Sequence, residues 1–121
     1  MKHDLILVVD DDPAIVEALQ MMLDLEGFTT EGYSGTKVLQ KISAVQPDLL
    51  LLDVWLAGED GRKICQTLKS DSLTATLPVI LISASRDLSE TAASVAADDF
   101  IEKPFDMDDV INKVKRLLEP R

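Results

Sequence analysis

Three stretches of the chain are apolar at every position. Leu5-Ile6-Leu7-Val8-Val9 is bounded by charge, Leu49-Leu50-Leu51-Leu52 stops at Asp53, and Val79-Ile80-Leu81-Ile82 is entered through Pro78. Such runs offer no polar face to water, which is the pattern of a strand covered on both sides. Leucine is a poor strand former, so for the second run its place between Pro47 and the loop at Gly58 decides for strand. Phe28 to Tyr33 alternates weakly and reads as a short edge strand, and Phe100-Ile101 as a brief last one.

Between the strands the period changes. After Asp12-Pro13, with Asp as a cap and Pro at the first helical position, Ile15, Leu19, Met22 and Leu23 recur at helical spacing until Gly27. Val38, Leu39 and Ile42 mark a second helix that ends before Gln46-Pro47. Ile64, Cys65 and Leu68 mark a third, after Asp60-Gly61. A weak, Ala-rich fourth helix spans about Ser89 to Ala97. Asp106 caps a fifth, with Val110, Ile111, Val114, Leu117 and Leu118 along one side. Strand and helix thus alternate five times, which predicts an α/β fold, a doubly wound parallel sheet with helices on both faces. The common order for five such units is 2-1-3-4-5, with a crevice where strands 1 and 3 part. Functional groups are therefore expected just past the ends of those two strands.

Composition narrows the classes. A chain of 121 residues suits one domain, taken here as residues 1–121, with neither a repeat nor a linker to divide it. The net charge of −10 argues against a nucleic-acid or anionic-membrane surface, since both attract Lys and Arg. The opening apolar run is too short and too closely followed by aspartates to be a signal peptide or a membrane span. Cys65 is the only cysteine, so no internal disulfide can form, and a reducing cytoplasm is the simplest compartment.

Asp10, Asp11 and Asp12 follow the first strand and Asp53 ends the third. With Asp12 spent as a cap, Asp10, Asp11 and Asp53 face one crevice, an arrangement that needs a cation or raised pKa values. Carboxylates open to water suit Mg²⁺, which is commonly held by one or two of them together with phosphate and water. Ser83 and Lys103 end the neighbouring strands. One nucleophilic carboxylate, a cation, a hydroxyl and an ammonium are the equipment for phosphoryl transfer to Asp53, with Lys103 and Ser83 on the equatorial oxygens.

Together, Val8-Val9-Asp10-Asp11, Leu51-Leu52-Asp53, Asp60-Gly61, Ile82-Ser83-Ala84 and Lys103-Pro104-Phe105 resemble the signature of response-regulator receiver domains over about Leu5 to Leu118. The resemblance implies a flavodoxin-like receiver fold in which Asp53 takes phosphate from a histidine kinase or histidine phosphotransfer protein. It further implies that Asp11, Asp53 and the Trp55 carbonyl bind Mg²⁺, that Asp10 acts largely through water, and that Lys103-Pro104 is cis. Ser83 and Phe100 match the switch positions, which alter partner binding on the face of helix 4, strand 5 and helix 5, including homodimer formation there. Output passes to a protein target or to an effector domain outside this chain.

Departures from the family pattern are Ala57 where proline is usual, Phe100 for a frequent tyrosine, Ala96 where glycine is common, and a segment from Ser83 to Lys103 shorter by a couple of residues. The short segment makes helix 4 a marginal element, ordered by little packing. Trp55 and Ser85, each two residues past a site residue, are expected to border the path of an attacking water, while Cys65 reads as core and His3 as a terminal residue without a phosphoryl role. An aspartate-nucleophile phosphatase needs a second Asp where Trp55 stands, so an enzyme is not expected. Nucleotide binding fails for want of a Gly-rich loop after strand 1. The remaining alternative is a degenerate receiver acting as a phosphorylation-independent interaction module.

Overall fold

The computed structural model describes residues 4–84 and 86–119, so His3 and Ser85 lie outside the described residues. The apolar runs are the centre of the sheet. β1 (Leu5–Val9), β3 (Leu49–Asp53) and β4 (Val79–Ser83) pair in parallel, β2 (Thr29–Tyr33) and β5 (Asp99–Glu102) close the two edges, and the order is β2-β1-β3-β4-β5. This is the 2-1-3-4-5 arrangement that the alternation of periods predicts.

Successive side chains of a strand point to opposite faces, so each central run feeds two cores. Ile6, Val8, Leu49, Leu51, Ile80, Ile82 and Ile101 pack with Val16, Leu19 and Leu23 of α1 (Pro13–Leu25) and Val110 and Val114 of α5 (Met107–Leu118). Leu7, Val9, Leu50, Leu52, Val79 and Leu81 pack on the other side with α2 (Val38–Val45), α3 (Gly61–Ser70) and α4 (Leu88–Ser94). Cys65 is buried in this second core, as its spacing predicts.

The helix ends have local causes. Asp12, Asp60 and Asp106 each accept a backbone N–H two residues on, from Ala14, Arg62 and Asp108. Gly27 (φ +93°) turns the chain out of α1. Gly32 lets β2 lie against α1, where an added Cβ would strike Val16 and Gln20.

The expected bounds shift in three places. α4 runs from Leu88 to Ser94 rather than to Ala97, because Ala96 is left-handed (φ 60°) and turns the chain toward β5. β5 is two residues longer than Phe100-Ile101, and β2 begins at Thr29 rather than Phe28. A feature the periodicity does not show is a short antiparallel hairpin after β3, pairing Trp55 with Asp60 and Leu56 with Glu59 around Gly58 (φ +79°).

Candidate functional site

Strand parity and register assemble the site. Val8, Leu51 and Ile101 share the α1–α5 face of the sheet. Two residues further on, alternation brings Asp10, Asp53 and Lys103 to the same side. Val9 pairs with Leu52, so β1 and β3 release Asp10 and Asp53 side by side. Asp53 stands opposite Ile82, and Ser83 opposite Glu102, which delivers Lys103 just beyond. The site therefore lies at the switch point between β1 and β3.

Asp10, Asp11 and Asp53 present carboxylate oxygens within 4.8 Å of one another. Asp10 and Asp53 are buried and Asp11 is exposed. The Lys103 ammonium donates to Asp10 Oδ2 at 2.9 Å and lies 3.6 Å from Asp53 Oδ2. Asp10 Oδ1 accepts the Asp12 N–H at 3.0 Å, and Asp53 Oδ1 accepts the Trp55 N–H at 3.4 Å. Asp10 is thus paired directly with Lys103.

The balance of forces differs for each group. Burial, then the charge of Asp10, pushes the Asp53 carboxyl up to about 6, with Asp11 adding a little. Lys103 and the Trp55 amide pull the other way without cancelling the rise. For Lys103 burial disfavours the charge, but the hydrogen bond to Asp10 and the charge of Asp53 outweigh it and hold its pKa above the ordinary lysine value. One ammonium cannot neutralise three clustered carboxylates. Hard oxygen donors at this spacing, one of them open to solvent, fit a small divalent cation such as Mg²⁺.

The loop that carries the acceptor candidate is pinned to α3. Gly61 donates its N–H to the Val54 carbonyl at 2.8 Å, and a Cβ on Gly61 would collide with the Asp53 carbonyl oxygen. Only glycine allows that approach. Glu59 reaches the other way, and its carboxylate accepts the Val38 N–H at the start of α2 at 3.4 Å. There Lys37 is left-handed and supplies no side-chain cap of its own.

Of the remaining expected residues, Ser83 and Trp55 lie at the crevice end of the sheet, whereas Phe100 pairs with Leu81 in mid-strand. Ser83 is buried at the end of β4, and its carbonyl accepts the Lys103 N–H at 2.9 Å. Phe100 is half-buried in β5, where Lys113 of α5 lies over its ring at 4.9 Å and donates to its carbonyl at 2.6 Å. Trp55 is 56% exposed. The Lys103-Pro104 bond is cis, as the resemblance implied. Sequence reasoning missed Arg62, whose guanidinium sits 4.6 Å over the Trp55 ring while gripping Asp60 with two nitrogens at 3.0 and 2.7 Å. A groove of about 630 Å³ at the opposite ends of the strands, lined by Leu39, Ile42, Pro47, Leu77 and Pro78 among others, contains none of the acidic cluster. Among the described residues no helix is long and apolar enough to cross a membrane.

Comparison with known proteins agrees with this geometry. The family model described as the response regulator receiver domain matches residues 6–115. Over 116 residues, 93% of this chain, the chain is 36% identical to response regulator MprA of Mycobacterium ulcerans and 34% identical to the DNA-binding dual master transcriptional regulator RpaA of Synechocystis. It spans about half the length of these relatives, 49% and 48% respectively. Among solved structures, the receiver domain of NtrX from Brucella abortus superposes with a TM-score of 0.83 at 37% identity, covering 96% of this chain and 99% of that one. The signal receiver domain of a signal transduction histidine kinase from Syntrophus aciditrophicus gives 0.86 at 33% identity, covering 95% and 89%. Sheet order, sequence and structural neighbours converge on one membership: this chain belongs to the response regulator receiver domains of two-component signalling.

Proposed function

We propose that Asp53 is the phosphoryl acceptor of this receiver and that residues 1–121 act as one phosphorylation-switched unit. The observation that carries the reading is a buried Asp53 carboxylate beside Asp10 and Asp11 with the Lys103 ammonium 3.6 Å away. An Asp53 oxygen attacks the phosphorus of a phosphohistidine on a kinase or phosphotransfer protein. The O–P bond forms as the P–N bond breaks, and its electron pair returns to the imidazole nitrogen. Lys103, already shared between Asp10 and Asp53, is placed to take an equatorial phosphoryl oxygen, and Ser83 takes another.

Asp10, Asp11, Asp53 and the main-chain carbonyl of Trp55 would hold Mg²⁺, whose charge offsets the carboxylates and the incoming phosphoryl oxygens. Ser83 and Phe100 carry the phosphorylated state to the face of α4, β5 and α5, where a protein target, a second copy of the chain or an effector segment outside these residues reads it. The setting is cytoplasmic, and the chain turns over no substrate but its own phosphoryl group. Trp55, next to the acceptor, slows the hydrolysis that returns the switch to rest.

The test is incubation with acetyl phosphate and Mg²⁺ followed by intact-mass measurement. One phosphoryl group is expected on the native protein, and none on Asp53→Asn or in EDTA. Comparable labelling of Asp53→Asn overturns the assignment.

A further inference from the structure

Trp55 is a large side chain, more than half exposed, on a loop that also supplies an N–H to the acceptor candidate. Left to itself, an exposed indole samples several rotamers, and ordering it has an entropic cost. Here a relay of three contacts ends on the ring. The backbone of Trp55 is paired with Asp60 across the short hairpin. Asp60 holds Arg62 through both carboxylate oxygens, by way of Nε and Nη2. Arg62 in turn lies over the indole at 4.6 Å, within the range of a cation–π contact.

Asp60 also caps α3, accepting the Arg62 N–H at 2.9 Å, so backbone and side chain of Arg62 are fixed by the same carboxylate. A side-chain hydrogen bond from Arg62 is the largest reason that the Asp60 carboxyl is held below the ordinary aspartate range. The fork geometry of the pair is one that lysine cannot reproduce. Gly61, between the two, is the residue whose missing side chain lets this cap sit against the Asp53 carbonyl. The clamp and the acceptor loop are therefore in direct contact.

We propose that Arg62 is a positioning residue that acts through Trp55: clasped by Asp60, it holds the indole in one place on the loop two residues past Asp53 and thereby sets how readily water reaches the phosphorylated acceptor. The inference rests on the reading of Asp53 as acceptor. In the step concerned, a water oxygen attacks phosphorus while the bond from phosphorus to the Asp53 oxygen breaks. The electron pair leaves with the carboxylate, and the proton passes to solvent or to the released phosphate. That attack must run in line with the breaking bond, so bulk fixed beside the acceptor obstructs it and mobile bulk yields.

Two measurements test the proposal. In the unphosphorylated protein, acrylamide quenching of Trp55, the only tryptophan, should increase in Arg62→Ala, and in Asp60→Asn, where the Asn keeps the helix cap but loses the charge. In the phosphorylated protein, loss of the acyl phosphate should be faster in Arg62→Ala by about two- to fivefold, the factor that an exposed cation–π contact converts to. Trp55→Ala should be at least as fast, and adding Arg62→Ala to it should change nothing further. A purely structural Arg62 would accelerate decay equally with and without the indole, and that additive result overturns the proposal, as does quenching that stays at the native level. If native protein takes no label on Asp53, the acceptor reading fails, while the quenching arm still decides whether Arg62 positions the ring.

Discussion

At the scale of the residue, Asp53 is held under two opposed pressures. Burial and Asp10 favour its protonated form, whereas Lys103 favours the ionised one, and the carboxyl settles near 6 rather than the ordinary 3.8. A group whose pKa is raised on folding leaves stability intact below its unfolded value and withdraws it as pH climbs through the folded one. In buffer free of divalent cations, ionisation of Asp53 should therefore cost stability between about pH 4 and pH 6. Asparagine keeps the shape without the charge. Asp53→Asn is expected to be more stable than the native protein at pH 8, by on the order of 2 kcal/mol, and equal to it at pH 4. Urea midpoints in EDTA at the two pH values check this, and a native protein as stable as the variant at pH 8 contradicts it. That Asp10, Asp53 and Lys103 belong together was legible, because their strands end in step and the side-chain period is two. Arg62 was not. Its partner lies seven positions earlier, across a hairpin whose strands are too short to show any period.

At the scale of the element, α4 and α5 make an instructive pair. Both start behind an aspartate, but α5 has twelve residues, buries Val110 and Val114, and carries Asp108 and Asp109 in its first turn with Lys115 and Arg116 in its last. α4 has seven residues and buries only Leu88 and Ala92. Alanines favour the helix but contribute little buried area, so packing holds α4 weakly. Amides from 91 to 97 are expected to exchange markedly faster than those of α5, with the difference altered by a phosphoryl mimic and Mg²⁺. Protection equal to that of α5 in the unphosphorylated protein would rule this out. The end of α4 was misjudged from sequence because alanine propensity argues for continuation, whereas the stop is a conformation, Ala96 at φ 60°. The same residue explains why glycine is common there in the family. Ala96→Gly removes the left-handed penalty at some cost in chain entropy, for a net gain of about 0.5–1 kcal/mol in unfolding free energy, measurable by urea titration.

At the scale of the whole molecule, most of the architecture followed from three apolar runs and the helical periods between them. Runs without a polar position need cover on both faces, and five alternating units leave few ways to provide it. The two cores on either side of the sheet are that cover. What the pattern could not convey is how the loops above the sheet are tied, since Gly61 against Asp53 and Glu59 against Val38 depend on backbone approach rather than on period. One of the site's contacts also has a meaning in time. Lys103 and Asp10 stand 93 positions apart, so the pair joins the loop after β1 to the loop after β5. A nascent chain that has made β1 and β3 already carries the crowded carboxylates, but their counter-charge arrives only when β5 has left the ribosome. The charge balance of the site is therefore completed only with the last strand of the sheet. A chain that stops short of β5 would hold the three carboxylates without the lysine that pairs with two of them.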